Sequence, residues 1–137
     1  MRKFEVISHT ADIGITAFGK DLPEVFANAA FGMFSLMNDL DKVKAKETIE
    51  VSVSSDDREG LLIAWLNELL SVFGIRKIIP SQFRILKMDD FSLSAKIRGE
   101  KYDGKKHVLE TEIKAATYHE LKIEKKNIFR ARIIFDV

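Results

Sequence analysis

The sequence predicts an α+β fold: a single compact domain over residues 1–137 in which mostly antiparallel sheets pack against two main helices. Three observations predict it. Two segments repeat apolar residues at helical spacing, and almost everything else alternates with a period of two. The order is strands, helix, strand, helix and then a long run of strands, without the regular alternation of a doubly wound parallel sheet.

In chain order, Ile13, Ile15 and Ala17 mark the apolar face of a half-buried strand. From Leu22 a helix follows, with Val25, Phe26, Ala29, Met33, Leu36 and Met37 on its inner face, Asp21 and Glu24 as its start signal, and Pro23 tolerated in the first turn. Ile49, Val51 and Val53 alternate as a strand. The second helix is predicted to begin near Asp56 with Glu59 at the matching position, to carry Leu62, Trp65, Leu66, Leu69 and Phe73 on one stripe, and to stop at Gly74. Further strands are read from Phe91, Leu93, Ala95 and Ile97, from Leu109 and Ile113, and from Phe129, Ala131, Ile133 and Phe135. Asp103-Gly104 predicts a hairpin turn between a strand ending near Arg98 and one beginning near His107, because both residue types tolerate positive φ. No repeat, low-complexity stretch or Pro/Gly-rich linker divides the chain.

Composition narrows the function. At 15.6 kDa, with 46% hydrophobic and 31% charged residues, the chain has the apolar content of a folded protein and the size of one core. Its formal charge of +1 creates no overall field to concentrate nucleic acid or an anionic membrane. The apolar run Leu61 to Leu70 is interrupted by Asn67 and Glu68 and is too short to span a bilayer, and the N-terminus lacks the apolar core of a signal peptide, so a cytoplasmic protein is expected. The absence of cysteine excludes disulfides, thiolate nucleophiles and zinc-thiolate sites, leaving oxygen and imidazole as metal ligands. There is no P-loop, G-x-G-x-x-G, G-x-S-x-G or H-E-x-x-H, which favours a binding protein over an enzyme.

His9 and Asp12 flank the entry to the first alternating strand, and the period puts Asp12 opposite the apolar face. Locally such an Asp either caps a turn, pairs on the surface or serves as a ligand. At the other terminus Asp136 points away from the core face and precedes Val137 with its carboxylate. If the last strand lies beside the first, Asp12, Asp136 and Val137 converge into an oxygen-rich site for a hard divalent cation, which would relieve the repulsion between the carboxylates. His119, next to Glu120 in the stretch Lys114 to Ile123, is read between two strands as either a hydrogen-bonded structural histidine or part of a titrating or metal-binding pair. His107 is read as a surface residue. Lys101, Lys105, Lys106 and Arg98 form a basic cluster that is either solvated or a contact for phosphates or an acidic partner.

Several blocks together resemble the archease family: His9 to Ile15 (HTADIGI), Ala29 to Phe34, Leu61 to Leu70 (LLIAWLNELL), Lys114 to Leu121 (KAATYHEL) and the terminal Ile134 to Val137. The resemblance covers nearly the whole chain. It implies a compact α/β protein that is not an enzyme and that activates an RtcB-type tRNA-splicing RNA ligase, promoting guanylylation of the ligase and multiple turnover. It also implies a chaperone-like action on proteins that process RNA or DNA. The metal site it implies maps to Asp12, Asp136 and Val137, with calcium favoured over magnesium and RNA contact at most indirect. The alternative is a metal-dependent hydrolase or transferase in which the same carboxylates hold a cation that activates water. A basic-loop RNA-binding module is the third reading.

Overall fold

The computed structural model describes residues 2–7 and 12–137. Helix α1 spans Leu22–Met37 and begins as the sequence predicts. The Asp21 carboxylate accepts from the Glu24 amide at 2.9 Å, and the Glu24 carboxylate accepts from the Lys20 amide at 2.9 Å, so two donors at the helix start are satisfied by side chains. Helix α2 spans Arg58–Arg76 and departs from expectation at both ends. Asp57, not Asp56, is its cap, accepting from the Gly60 amide at 2.7 Å. At the other end the helix runs through Gly74 and stops at Lys77, whose φ of 57° is left-handed. Packing carries it past the glycine: Phe73 meets Phe34 and Tyr102 edge-on, and the Lys77 amide donates back to the Phe73 carbonyl.

The strands form two antiparallel sheets. One has the order β1 (Phe4–Ile7), β2 (Ile13–Gly19), β7 (Ile128–Asp136), β6 (Ala115–Lys126), and the other β3 (Glu47–Ser54), β5 (Ser92–Lys101), β4 (Ile78–Met88). Both helices touch both sheets, α1 against β1, β2, β7 and β4, and α2 against β6 and all three strands of the second sheet. The core therefore lies between helices and sheets, with Ile15, Ala17, Ala131 and Ile133 fully buried alongside Phe26, Met33 and Trp65. The Trp65 indole N–H donates to the Phe26 carbonyl at 2.9 Å, so its polar edge is satisfied in the core. These layers bear out the α+β reading. Among the described residues no helix is long and apolar enough to cross a membrane.

The predicted hairpin at Asp103-Gly104 does not form. β5 is already paired on both edges, by β3 and β4, and has no edge left for the following segment. Instead the amides of Lys106 and His107 both donate to the Asp103 carbonyl, and the chain crosses to the other sheet through the irregular residues 107–114. Leu109 and Ile113 are therefore not in a strand. Conversely, the stretch around His119, read as lying between strands, is inside β6. Phe91 precedes β5 in a tight turn where the Asp89 carboxylate accepts from the Phe91 and Ser92 amides, and it is exposed. β4 carries Pro80 and two register breaks, which blur its period; its position at a sheet edge tolerates the proline.

His107 is not a surface residue: only 4% of it is exposed. Its Nδ1 accepts from the Asp103 amide at 3.0 Å, which leaves the proton on Nε2 to be donated to Glu100 Oε2 at 3.0 Å. Glu100 is buried too and also accepts from Lys106 Nζ at 2.8 and 3.0 Å and from the Lys44 amide at 2.9 Å. The Lys106 hydrogen bond, outweighing burial and aided by Lys44 and His107, holds the Glu100 carboxyl down at about 2. The buried carboxylate explains why a histidine and a lysine from a polar-looking turn are drawn inward.

Candidate metal centre

β2 and β7 run antiparallel in a continuous register from Gly19↔Phe129 to Ile13↔Phe135. The first and last long strands are thus neighbours, and one step beyond the final pair brings Asp12 and Asp136 to the same end of the sheet. β6 lies on the other side of β7, with Ala115 opposite Asp136, and the Lys114 amide donates to the Asp136 carbonyl at 2.8 Å. Asp12, Asp136 and Val137 are all exposed. His9 lies outside the described residues.

A bulge in β6 adds further groups. Between Thr117↔Ile134 and Lys122↔Arg132, five steps along β6 face two along β7, so three extra residues are pushed out of the ladder. Thr117 Oγ1 donates to the Ile134 carbonyl at 2.8 Å and accepts from the His119 amide at 3.3 Å, pinning one end of the bulge. Glu120 takes a left-handed φ of 51°, an uncommon conformation for a residue with a side chain. The outcome is a half-exposed cluster in which His119 Nε2 lies 3.9 Å from Asp12 Oδ2 and 3.4 Å from Glu120 Oε2. Glu120 Oε1 in turn lies 3.5 Å from Arg132 Nη2.

Among the described residues, Asp12, His119 and Glu120 form the one group of three His, Asp or Glu side chains whose ligand atoms lie within 4.8 Å of one another. Asp136 is outside that group, although the register sets it beside Asp12. Two carboxylates and an imidazole are a chemically competent donor set for a divalent cation, and Asp136 with Val137 would add oxygens at the same end. The sequence left His119 and Glu120 open between structural and ligand roles and did not single out Arg132. The signal for the first two was present: Thr117 to Leu121 breaks the period-two pattern, as a bulge must.

The basic cluster at the end of β5 and in the turn after it is dispersed by its own contacts. Lys106 is bound to Glu100, and Arg98 Nη2 donates to the Ala45 carbonyl at 2.8 Å. Neither is simply solvated.

Comparison with known proteins fits this architecture. Residues 4–137 match the model of the Archease protein family. The chain is 42% identical to a Protein archease of Sulfurisphaera tokodaii over 139 residues, covering 100% of both, and 40% identical to one of Methanosarcina acetivorans, covering 99% and 97%. The solution structure of Methanobacterium thermoautotrophicum Protein 1598 superposes with a TM-score of 0.84 at 38% identity over the full length of both chains. A Thermotoga maritima crystal structure, described as an archease and possible chaperone, shares the fold at a TM-score of 0.70 and 24% identity, covering 100% of this chain and 98% of that one. With the matched residues running from the first strand to the final Val137, and with full-length relatives at this identity, the chain belongs to the archease family.

Proposed function

We propose that this protein is a non-enzymatic activator of an RtcB-type tRNA-splicing RNA ligase in the cytoplasm. Docked on the ligase, it promotes guanylylation and repeated turnover while holding a divalent cation at Asp12, Asp136 and Val137. The observation that carries this reading is the β2–β7 pairing, which ends in two acidic residues side by side in an archease. When bound, the cation supplies positive charge that compensates the carboxylates and can face an anionic group of the partner. His119 lies beside Asp12, Glu120 lies beside His119, and Arg132 pairs with Glu120. RNA contact is indirect, in keeping with the near-neutral charge of the chain and with Lys106 being engaged by Glu100.

The test is ligation by a purified RtcB-type ligase under multiple-turnover conditions with and without this protein. Stimulation by the wild type, lost in the double variant Asp12→Ala/Asp136→Ala, is the expected result. Equal stimulation by the double variant would remove the metal site from the mechanism, and no stimulation by the wild type would sink the activator reading. Substrate turnover by the purified protein alone with Mg²⁺, Mn²⁺ or Ca²⁺ would instead support the hydrolase or transferase reading.

A further inference from the structure

A cleft of about 670 Å³ opens between the C-terminal half of α2 and the irregular segment that leads into β6. Its wall is largely apolar: Met37, Leu70, Phe73, Leu109 and Ile113, with the ring of Tyr102 at one end. The size and lining are those of a binding pocket, not of a packing defect.

Gly74 marks the cleft as built for something outside the chain. It sits inside α2 with a negative φ, so no left-handed turn calls for it, and a Cβ placed on it would meet nothing within 4 Å. Glycine inside a helix costs about 1 kcal/mol relative to alanine. Neither backbone conformation nor internal packing explains that cost, whereas close approach of an external group to the helix backbone does. Next to it Ile75 is 81% exposed, and Leu109 on the facing wall is 37% exposed.

The polar groups describe the occupant. Lys77 and Lys114 line the cleft against a single carboxylate, Glu112, and neither lysine enters an ion pair among the described residues. The backbone amides of Thr111, Glu112 and Ile113 donate to no other backbone group among the described residues, so those that alternate toward the cleft are donors for an extended chain laid alongside. Through the Lys114 amide and its bond to the Asp136 carbonyl, this wall continues directly into the candidate metal centre.

We propose that the cleft is the docking site for an extended segment of the partner protein in which an apolar anchor, leucine or phenylalanine in type, stands next to a carboxylate. The anchor fills the space over Gly74, the carboxylate meets Lys77 or Lys114, and the segment's backbone pairs with residues 111–113. The identity of the partner as the ligase rests on the function proposed above. The cleft would then fix the ligase against the acidic end of the sheet.

The test measures binding of the purified RtcB-type ligase to the full-length protein by biolayer interferometry. Gly74→Trp fills the cleft from a position with open space, Gly74→Ala adds a methyl where the anchor approaches the helix backbone, and Leu109→Glu sets a charge on the opposite wall. Gly74→Ala should weaken binding by about threefold or more, and Gly74→Trp and Leu109→Glu by about thirtyfold or more, the loss expected at a central anchor. Melting curves establish that each variant is folded; if Gly74→Trp does not fold, Leu109→Glu decides. Wild-type affinity in the folded cleft variants would overturn the docking site while leaving the activator reading intact. No binding by the wild type would overturn both. A wild-type dimer in light scattering that Gly74→Trp converts to monomer would make a second copy of this chain the occupant and overturn the assignment.

Discussion

Ile13 lies directly across from Phe135 in the antiparallel pairing of β2 with β7. Both side chains face the core, so the alternation that buries them turns the next residue on each strand, Asp12 and Asp136, away from it. The acidic end of the sheet is thus a by-product of core register: slip β7 by one residue, and Ile133 and Phe135 would be exposed together with the loss of the site. Stability and the candidate centre share one constraint.

Cation binding separates the two overlapping donor sets. The all-oxygen set of Asp12, Asp136 and Val137 suits Ca²⁺, while the set with the His119 imidazole suits a borderline ion such as Zn²⁺. In calorimetry Asp12→Ala should abolish binding of either ion, Asp136→Ala should weaken Ca²⁺ by about tenfold or more, and His119→Ala should weaken Zn²⁺ more than Ca²⁺. Unchanged binding in Asp12→Ala would place the centre elsewhere.

Glu100 predicts a pH dependence far from that centre. Its carboxyl is held at about 2 in the folded chain, chiefly by Lys106, against an ordinary value of 4.5. The folded state binds this proton less readily than the unfolded state, so the stabilisation is whole above pH 4.5 and fades as pH falls toward 2. Glu100→Gln should cost about 2–4 kcal/mol at pH 7, because it leaves Lys106 and His107 facing an uncharged group in a buried setting. Urea denaturation of both proteins should show that difference shrinking between pH 4.5 and 2. A constant difference would mean that the carboxylate charge is not what stabilises.

Much of this was legible in the sequence, and the failures have physical causes. Strong periodicity located α1, β2, β5 and β7 because each buries one face of a regular element. The turn at Asp103-Gly104 has good hairpin chemistry, but sheet order decided against it, and sheet order is a long-range property that no local dipeptide encodes. His107 looked exposed because its partner Glu100 is charged, and a buried ion-pair network has no signature in hydropathy. At the candidate centre, Asp12 and Asp136 could be paired only on the condition that the termini meet. His119 and Glu120 joined them through a bulge whose direction depends on one left-handed residue.

Gly99 has a steric requirement inside the second sheet. A Cβ there would run into the Ile79 carbonyl, and Pro80 lies close behind, where β4 breaks register against β5. The contact is backbone, with no flexible side chain to give way. Gly99→Ala should therefore destabilise by about 2–3 kcal/mol in chemical denaturation. A loss under about 0.5 kcal/mol would show that the two strands can separate locally without penalty.

The last turn of α2 offers the sharpest contrast between stability and function. Lys77 occupies a left-handed conformation that glycine adopts without strain, while three residues earlier Gly74 occupies a helical position that alanine would favour. Lys77→Gly should stabilise by about 0.5–1 kcal/mol through relief of that strain, and Gly74→Ala by a similar amount through helix propensity and a less flexible unfolded chain. If Gly74→Ala instead destabilises the chain, the glycine is needed by the fold itself and does not mark room kept for a partner. If both variants stabilise, the sequence holds its glycine where the helix gains nothing from it, at a position of the last turns that lines the cleft and where a Cβ would meet open space.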